Sequence, residues 1–162
     1  MTETMREFGS LQLRVSSCIE NVALVGRCIR ALTAPLLGER AGSDMELATC
    51  EALNNIIEHA YAQRDDQTIV VEWDRVAHGA RVRVHDWGKP LPAGALEATL
   101  PDTDGVAVAG LPEGGFGIGL LKALTDEIAY SRNAEGRNTL VLVRLHNQVP
   151  NSGSRRGGPV HG

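Results

Sequence analysis

Glu51-Ala52-Leu53-Asn54-Asn55-Ile56-Ile57-Glu58-His59-Ala60-Tyr61 runs through the chain with a helical period. On a helix, Glu51, Asn55 and His59 fall at i, i+4 and i+8 and share one face. Most of the opposite side is apolar, through Ala48, Ala52 and Ile56. A carboxylate, a carboxamide and an imidazole in a row put a proton acceptor beside a neutral oxygen for a hard metal ion. Two glycine-bearing segments follow, Asp86-Trp87-Gly88 and Gly114-Gly115-Phe116-Gly117-Ile118-Gly119. The three together suggest a nucleotide site.

The flanking sequence supplies the rest of a small α/β unit. Leu11-Gln12-Leu13-Arg14-Val15 alternates and predicts a strand. Ser17-x-x-Glu20 has the pattern of a capping box, and Ile19, Val22, Val25, Ile29 and Leu32 follow with helical spacing to about Leu37, where Gly38 and Gly42 break the helix. Ser43-x-x-Glu46 has the same pattern and opens a second helix, expected to end near Tyr61. Residues 68–73 and 80–85 are β-rich and joined by a turn at Ala77-His78-Gly79, a hairpin. Residues 88–115 are rich in Gly and Pro, and so long an irregular segment in a small domain predicts a lid or an insert. A helix over 117–124 and strands over 127–131 and 139–145 complete the order β-α-α-β-β-lid-α-β-β. Two consecutive helices followed by a hairpin do not build a doubly wound parallel sheet. The expectation is a mixed, mostly antiparallel sheet with helices on one face, over residues 9–146, with flexible termini at 1–8 and 147–162.

The 162 residues suffice for one domain with a real core. Only 4% are aromatic, so that core must be built of Val, Leu, Ile and Ala. A net charge of −4 argues against general binding to nucleic acid or a membrane surface, because counterion-driven association needs a basic face. Three cysteines (Cys18, Cys28, Cys50), none in a Cys-x-x-Cys pair, are expected as small buried residues of a reducing compartment. With no apolar run of membrane-spanning length and no signal-peptide pattern, a cytoplasmic protein is expected.

Each motif has a plain alternative. A single Glu on a helix is usually solvated. Glu51 rises above that because the neighbouring segments supply what a nucleotide needs. Asn55 offers a neutral oxygen to Mg²⁺, which takes its other ligands from water and phosphates. Glu51, one turn away, can accept a proton from an attacking hydroxyl. His59 either bonds a lid carbonyl or phosphate, or is a structural histidine near the helix end. Asp86 closes a strand, where a carboxylate can accept from an exocyclic amine and favour adenine over guanine. Gly88 lets the backbone pass close to a flat ligand, although Asp-x-Gly turns are common. The glycines before the third helix allow close approach of its N–H groups to a polyphosphate. They form neither a Walker loop nor a dinucleotide fingerprint.

Glu-Ala-x-x-Asn-x-x-x-His-x-Tyr, Asp-x-Gly and Gly-x-Gly-x-Gly before a helix resemble the GHKL-type ATPases. Within them the chain is most similar to the anti-sigma-factor serine kinases of bacterial partner switching, over about Leu11 to Leu145. Gly136-Arg137-Asn138-Thr139 before the last strand also fits that family. The resemblance implies a two-layer α/β sandwich of the Bergerat type, with ATP under a mobile lid. It implies Glu51 as catalytic base, Asn55 as Mg²⁺ ligand, and His59 and Lys89 near the nucleotide. Asp86 would read adenine with Thr139 assisting through water. Gly88, Gly115, Gly117, Ile118 and Gly119 would line the phosphate and lid sites. The implied partners are an anti-anti-sigma protein carrying the acceptor serine and a sigma factor or analogous regulator, with the kinase a homodimer. Histidine kinases share the superfamily, but a complete two-component sensor is not expected, since residues 1–10 show no pattern of a dimerisation helix bearing a phosphoacceptor histidine.

Two departures stand out. Asp86-Trp87-Gly88-Lys89-Pro90 lacks the second glycine common in the wider superfamily, and Pro90 stiffens the start of the lid. Between Lys89 and Lys122 there is no Lys or Arg, so phosphoryl stabilisation would rest on Mg²⁺, backbone N–H groups and Lys89 or Lys122. The expectation is a slow protein-serine kinase. Its alternative is an ATP-binding regulatory interaction module with little or no kinase activity.

Overall fold

The computed structural model describes residues 9–97 and 116–146. The expected flexible termini, most of the expected lid, and Gly115 lie outside the described residues. The element order is β1 (Ser10–Ser16), α1 (Glu20–Leu37), α2 (Glu39–Asn55), a π-helical turn (Ile56–Ala60), β2 (Thr68–Val76), β3 (Gly79–Asp86), α3 (Phe116–Leu124), β4 (Glu127–Arg132) and β5 (Asn138–Leu145). The five strands form one sheet in the order β1-β2-β3-β5-β4. Every pairing is antiparallel. The fold is the expected α/β sandwich, with no parallel pair among the described strands.

Strand alternation explains the layering. In β3, Ala80, Val82 and Val84 are fully buried under the helices. The residues between them point to the other face, which no described helix covers. There Arg81 pairs with Asp74 at 2.6 Å, Arg83 with Glu72 at 3.0 Å, and His85 approaches Glu72 at 3.3 Å. On the covered face, Ile69, Val71 and Trp73 of β2 and Leu142 of β5 meet Val25 and Ile29 of α1, Met45, Ala48 and Leu53 of α2, and Leu121 of α3. Burying each large aliphatic side chain contributes roughly 1.5–3 kcal/mol. Trp73 donates its ring N–H to Thr33 Oγ1 at 3.1 Å, so the largest core side chain leaves no polar atom unpaired.

Neither capping box forms. Ser17 stands outside α1, whose N-cap position is Ile19 without a side-chain cap. The Ser17 hydroxyl donates to Arg64 O at 2.5 Å and accepts from Gln67 N at 3.1 Å, tying the end of β1 to the start of β2. Ser43 lies inside α2, because that helix starts at Glu39. Gly38, with φ 93°, makes the break alone. Gly42 does not interrupt the chain: a Cβ there would meet Ala34 Cβ at 2.7 Å, so it lets α1 and α2 pack closely. Cys28 is exposed, against the expectation of a buried residue, and Cys18 and Cys50 are half-buried free thiols.

The helix carrying Glu51 also ends differently from its prediction. It is α-helical to Asn55 and then widens, with Tyr61 N–H bonding Ile56 O at 2.8 Å, five residues back. One extra residue in the last turn leaves the Ala60 carbonyl to accept Lys89 N–H at 3.0 Å. Single π-turns of this kind recur at functional sites.

Candidate active site

The topology brings four chain segments to one end of the sheet. The C-terminal half of α2 and its π-turn form one wall, residues 86–95 a second, and the first turns of α3 a third. Tyr130 and Leu140 of the β4–β5 hairpin complete it. Between them is a cavity of about 500 Å³. Concave sites for small ligands run from roughly 300 to 1,000 Å³. Ala52, Ile56, Leu91, Ile118, Leu121 and Leu140 give apolar walls suited to a flat base, while Asn55, His59, Asp86 and Lys89 are the polar groups on its lining.

Asp86 is at the cavity's floor and only 5% exposed. Its Oδ1 accepts from Gly88 N–H and from Asn138 Nδ2, each at 2.8 Å. Among the described residues, Oδ2 receives no hydrogen bond. Burial pushes the Asp86 carboxyl above its ordinary range, and the Asn138 amide, the Gly88 N–H and the nearby Arg132 and His85 partly offset this. A buried carboxylate with one oxygen committed and the other open is suited to a hydrogen-bond donor on the ligand.

Gly88 lies against the π-turn. A Cβ on it would meet the Ala60 carbonyl carbon at 2.6 Å. The glycine allows the segment leaving β3 to lie against the π-turn, and the Lys89–Ala60 hydrogen bond sits at the same crossing. Tyr61 braces this crossing. Its hydroxyl donates to Thr68 O at 2.6 Å and accepts from Trp87 N–H at 2.9 Å. Gly88→Ala is expected to destabilise the fold by about 1–3 kcal/mol through backbone displacement. A thermal melt equal to wild type would show that this approach is not tight.

Glu51 and Asn55 converge on α3. A Cβ at Gly117 would lie 2.6 Å from both Glu51 Oε1 and Asn55 Nδ2. Only glycine lets α3 approach the polar face of α2 so closely, and the empty Cβ position is the space the two side chains share. Asn55 lines the cavity, whereas Glu51 is half-buried one turn behind it. Ile118 is a buried wall residue, and Gly119 is buried in the first turn of α3. His59 stands at the rim, 59% exposed at its side chain, with Glu58 Oε2 3.9 Å away. It belongs to the π-turn and lines the cavity with Asn55.

Thr139 is not beside Asp86. It pairs in register with His85, on the uncovered face of the sheet, and its hydroxyl lies 2.9 Å from His85 Nδ1. Asn138 is the register partner of Asp86 and takes the place expected for Thr139. The signal was present in the sequence. Asn138 has the parity of Leu140 and Leu142, and Asp86 that of Val82 and Val84, whereas Thr139 falls between. Tyr130 and Arg132, which share that parity, were also missed.

The residues present fit an adenine nucleotide with a magnesium ion. The apolar walls match a base, and Asn55 and Lys89 on the lining are polar groups able to face phosphates. Among the described residues no three His, Cys, Asp or Glu side chains gather. Asn55, on the lining, would offer its carboxamide oxygen to an ion held otherwise by phosphates and water.

Residues 15–144 match the histidine kinase-like ATPase domain family. The serine-protein kinase RsbW of Bacillus mycoides (strain KBAB4) is 27% identical over 158 residues, covering 93% of this chain and 94% of that protein. Proteins of the same name from Bacillus cereus (strain AH820) and Bacillus anthracis (strain CDC 684 / NRRL 3495) match to the same extent. With this family match covering residues 15–144 of 162, the chain belongs to the histidine kinase-like ATPases.

Proposed function

We propose that this protein is an ATP-dependent protein-serine kinase of a bacterial partner-switching system. It phosphorylates a small anti-anti-sigma protein on serine, and it sequesters a sigma factor or analogous regulator when that antagonist is absent. The observation that carries this reading is the convergence of Glu51 and Asn55 on Gly117, at the edge of a cavity floored by Asp86. The likeness to kinases named for protein serine supports the choice of acceptor.

In this mechanism Asp86 receives the exocyclic amine of adenine on its open oxygen. Asn55 presents its carboxamide oxygen toward the phosphates. Glu51, one turn back, takes the proton of the serine hydroxyl as that oxygen attacks the γ-phosphorus of ATP; the bond from the γ-phosphorus to the β,γ-bridging oxygen breaks and ADP leaves with its electron pair. Asn55 would hold Mg²⁺, which when bound would supply charge neutralisation at the transferring phosphoryl group. The buried glycines of α3 let its first N–H groups approach the phosphates. The phosphate left on the antagonist adds charge and acceptor oxygens at the interface, which weakens the complex and frees the kinase for its regulator. No helix among the described residues is long and apolar enough to cross a membrane. We place the protein in the cytoplasm and expect a homodimer.

Incubation with γ-labelled ATP, Mg²⁺ and an antagonist of the anti-anti-sigma type tests this. Labelled phosphoserine on the antagonist is the expected result. The absence of Lys and Arg between Lys89 and Lys122 favours a second reading, an ATP-dependent interaction module. ATP binding that tightens partner binding without labelled product would select it.

A further inference from the structure

Behind Asp86 lies a hydrogen-bond network that the proposed kinase mechanism does not use. Asn138 is 1% exposed. Its Oδ1 accepts from Arg132 Nη1 and from the Tyr130 hydroxyl, each at 2.7 Å. Its Nδ2 donates to Asp86 Oδ1 at 2.8 Å and lies 3.3 Å from Gly88 O. The Tyr130 hydroxyl also accepts Leu91 N–H at 2.9 Å, and Arg132 Nη1 also donates to Gly88 O at 3.0 Å.

These partners fix which way round the Asn138 amide sits. A guanidinium can only donate, so the atom facing Arg132 must be the amide oxygen. Because the Tyr130 oxygen already receives Leu91 N–H, its own proton is directed to that same oxygen. The NH₂ group must then face Asp86. Asp86 Oδ1 therefore accepts twice, from Asn138 and from Gly88, and the carboxylate has no reason to carry a proton on that side. The open Oδ2 is left as an acceptor. A purine bearing a 6-amino group offers it a donor. A 6-oxo purine offers it a second acceptor.

We propose that Asn138, held in one orientation by Arg132 and Tyr130, commits Asp86 to accepting a hydrogen bond and so sets the preference of this site for 6-amino over 6-oxo purines. Asn138 is a positioning residue: it acts through Asp86 and does not line the cavity. The same network ties β4 and β5 to the backbone at Gly88 and Leu91, where the chain leaves for the residues beyond 97. The inference rests on the nucleotide site proposed above.

The test compares equilibrium binding of ATP and inosine triphosphate, with Mg²⁺, over a range of pH. Wild type should prefer ATP by about 100-fold or more, since a site built for one hydrogen bond rejects its mismatch strongly. Asn138→Asp places a second carboxylate against Asp86, and the two cannot both ionise freely. Its preference should narrow by about tenfold or more, and the loss of ATP affinity on acidification should set in at a higher pH than in wild type. Arg132→Gln, on an exposed side chain, removes the donor-only anchor without disturbing the core. It should narrow the preference about threefold to tenfold, and Arg132→Lys, again donor-only, should restore it. Preferences and pH profiles within twofold of wild type in both Asn138→Asp and Arg132→Gln would overturn the inference while leaving the nucleotide site standing. Should Asn138→Asp not fold, Arg132→Gln and its rescue decide alone. Wild type that binds neither nucleotide would remove the functional proposal itself, and this inference with it.

Discussion

Replacing Glu51 by glutamine is expected to slow phosphoryl transfer to the antagonist serine by about 10²–10⁴-fold, the usual worth of a positioned general base. ATP affinity should stay within about threefold of wild type. The geometry separates the two effects. Glu51 is not part of the cavity lining, and its Oε1 lies toward Gly117 beside Asn55, away from the floor at Asp86. Glutamine keeps the shape and the helix, and at its half-buried position leaves no stranded charge. It cannot take a proton from a serine hydroxyl. Single-turnover transfer of labelled phosphate and calorimetric ATP binding measure the two quantities on the same protein. Transfer within twofold of wild type would show that the proton goes elsewhere. Loss of ATP binding in step with transfer would mean that Glu51 holds the nucleotide.

Asp86→Asn should weaken ATP binding by about 100-fold, close to 3 kcal/mol, with little change in stability. The size follows from the partners already present. Gly88 N–H and Asn138 Nδ2 both demand an acceptor, so an asparagine at this position turns its oxygen toward them. Its NH₂ group then points into the cavity and meets the adenine amine donor to donor. Wild type should also lose ATP affinity on acidification. Burial raises the Asp86 carboxyl, so its protonation begins above the ordinary carboxylate range of about 3.9. The sign is that of a raised acid. The charged form costs the free folded protein stability above that pKa, and the cost lifts as pH falls through it. The bound amine needs the charged form, so affinity is retained above the raised pKa and lost below it. Asp86→Asn should show no such dependence. A pH-independent wild-type affinity down to the ordinary carboxylate range would remove Asp86 from the base contact.

Much of the architecture was legible because it depends on local periodicity. Alternation in Ala80-Arg81-Val82-Arg83-Val84 marks a half-covered strand, and two apolar-striped helices in succession require a sheet with helices on one side. The helical spacing of Glu51 and Asn55 placed both on one face, and the structure brings both to Gly117. Local patterns failed where a backbone group had a better partner far along the chain. Ser17 left its helix because Arg64 O and Gln67 N lie across from it. Gly42 looked like a breaker and is instead where Ala34 of the neighbouring helix presses.

The chain's own order of residues therefore determined the strands, the helices, the parity of each strand and the identity of the polar residues offered to a nucleotide. Tertiary structure alone decided which of them meet. Register between β3 and β5 set Asn138 opposite Asp86 and turned Thr139 to the other face, since a shift of one residue reverses every side chain. The 86–91 segment packs on the π-turn at the end of α2, and His59, on that turn, stands at the rim. Those outcomes depend on distances between residues dozens of positions apart, and no local period encodes such distances.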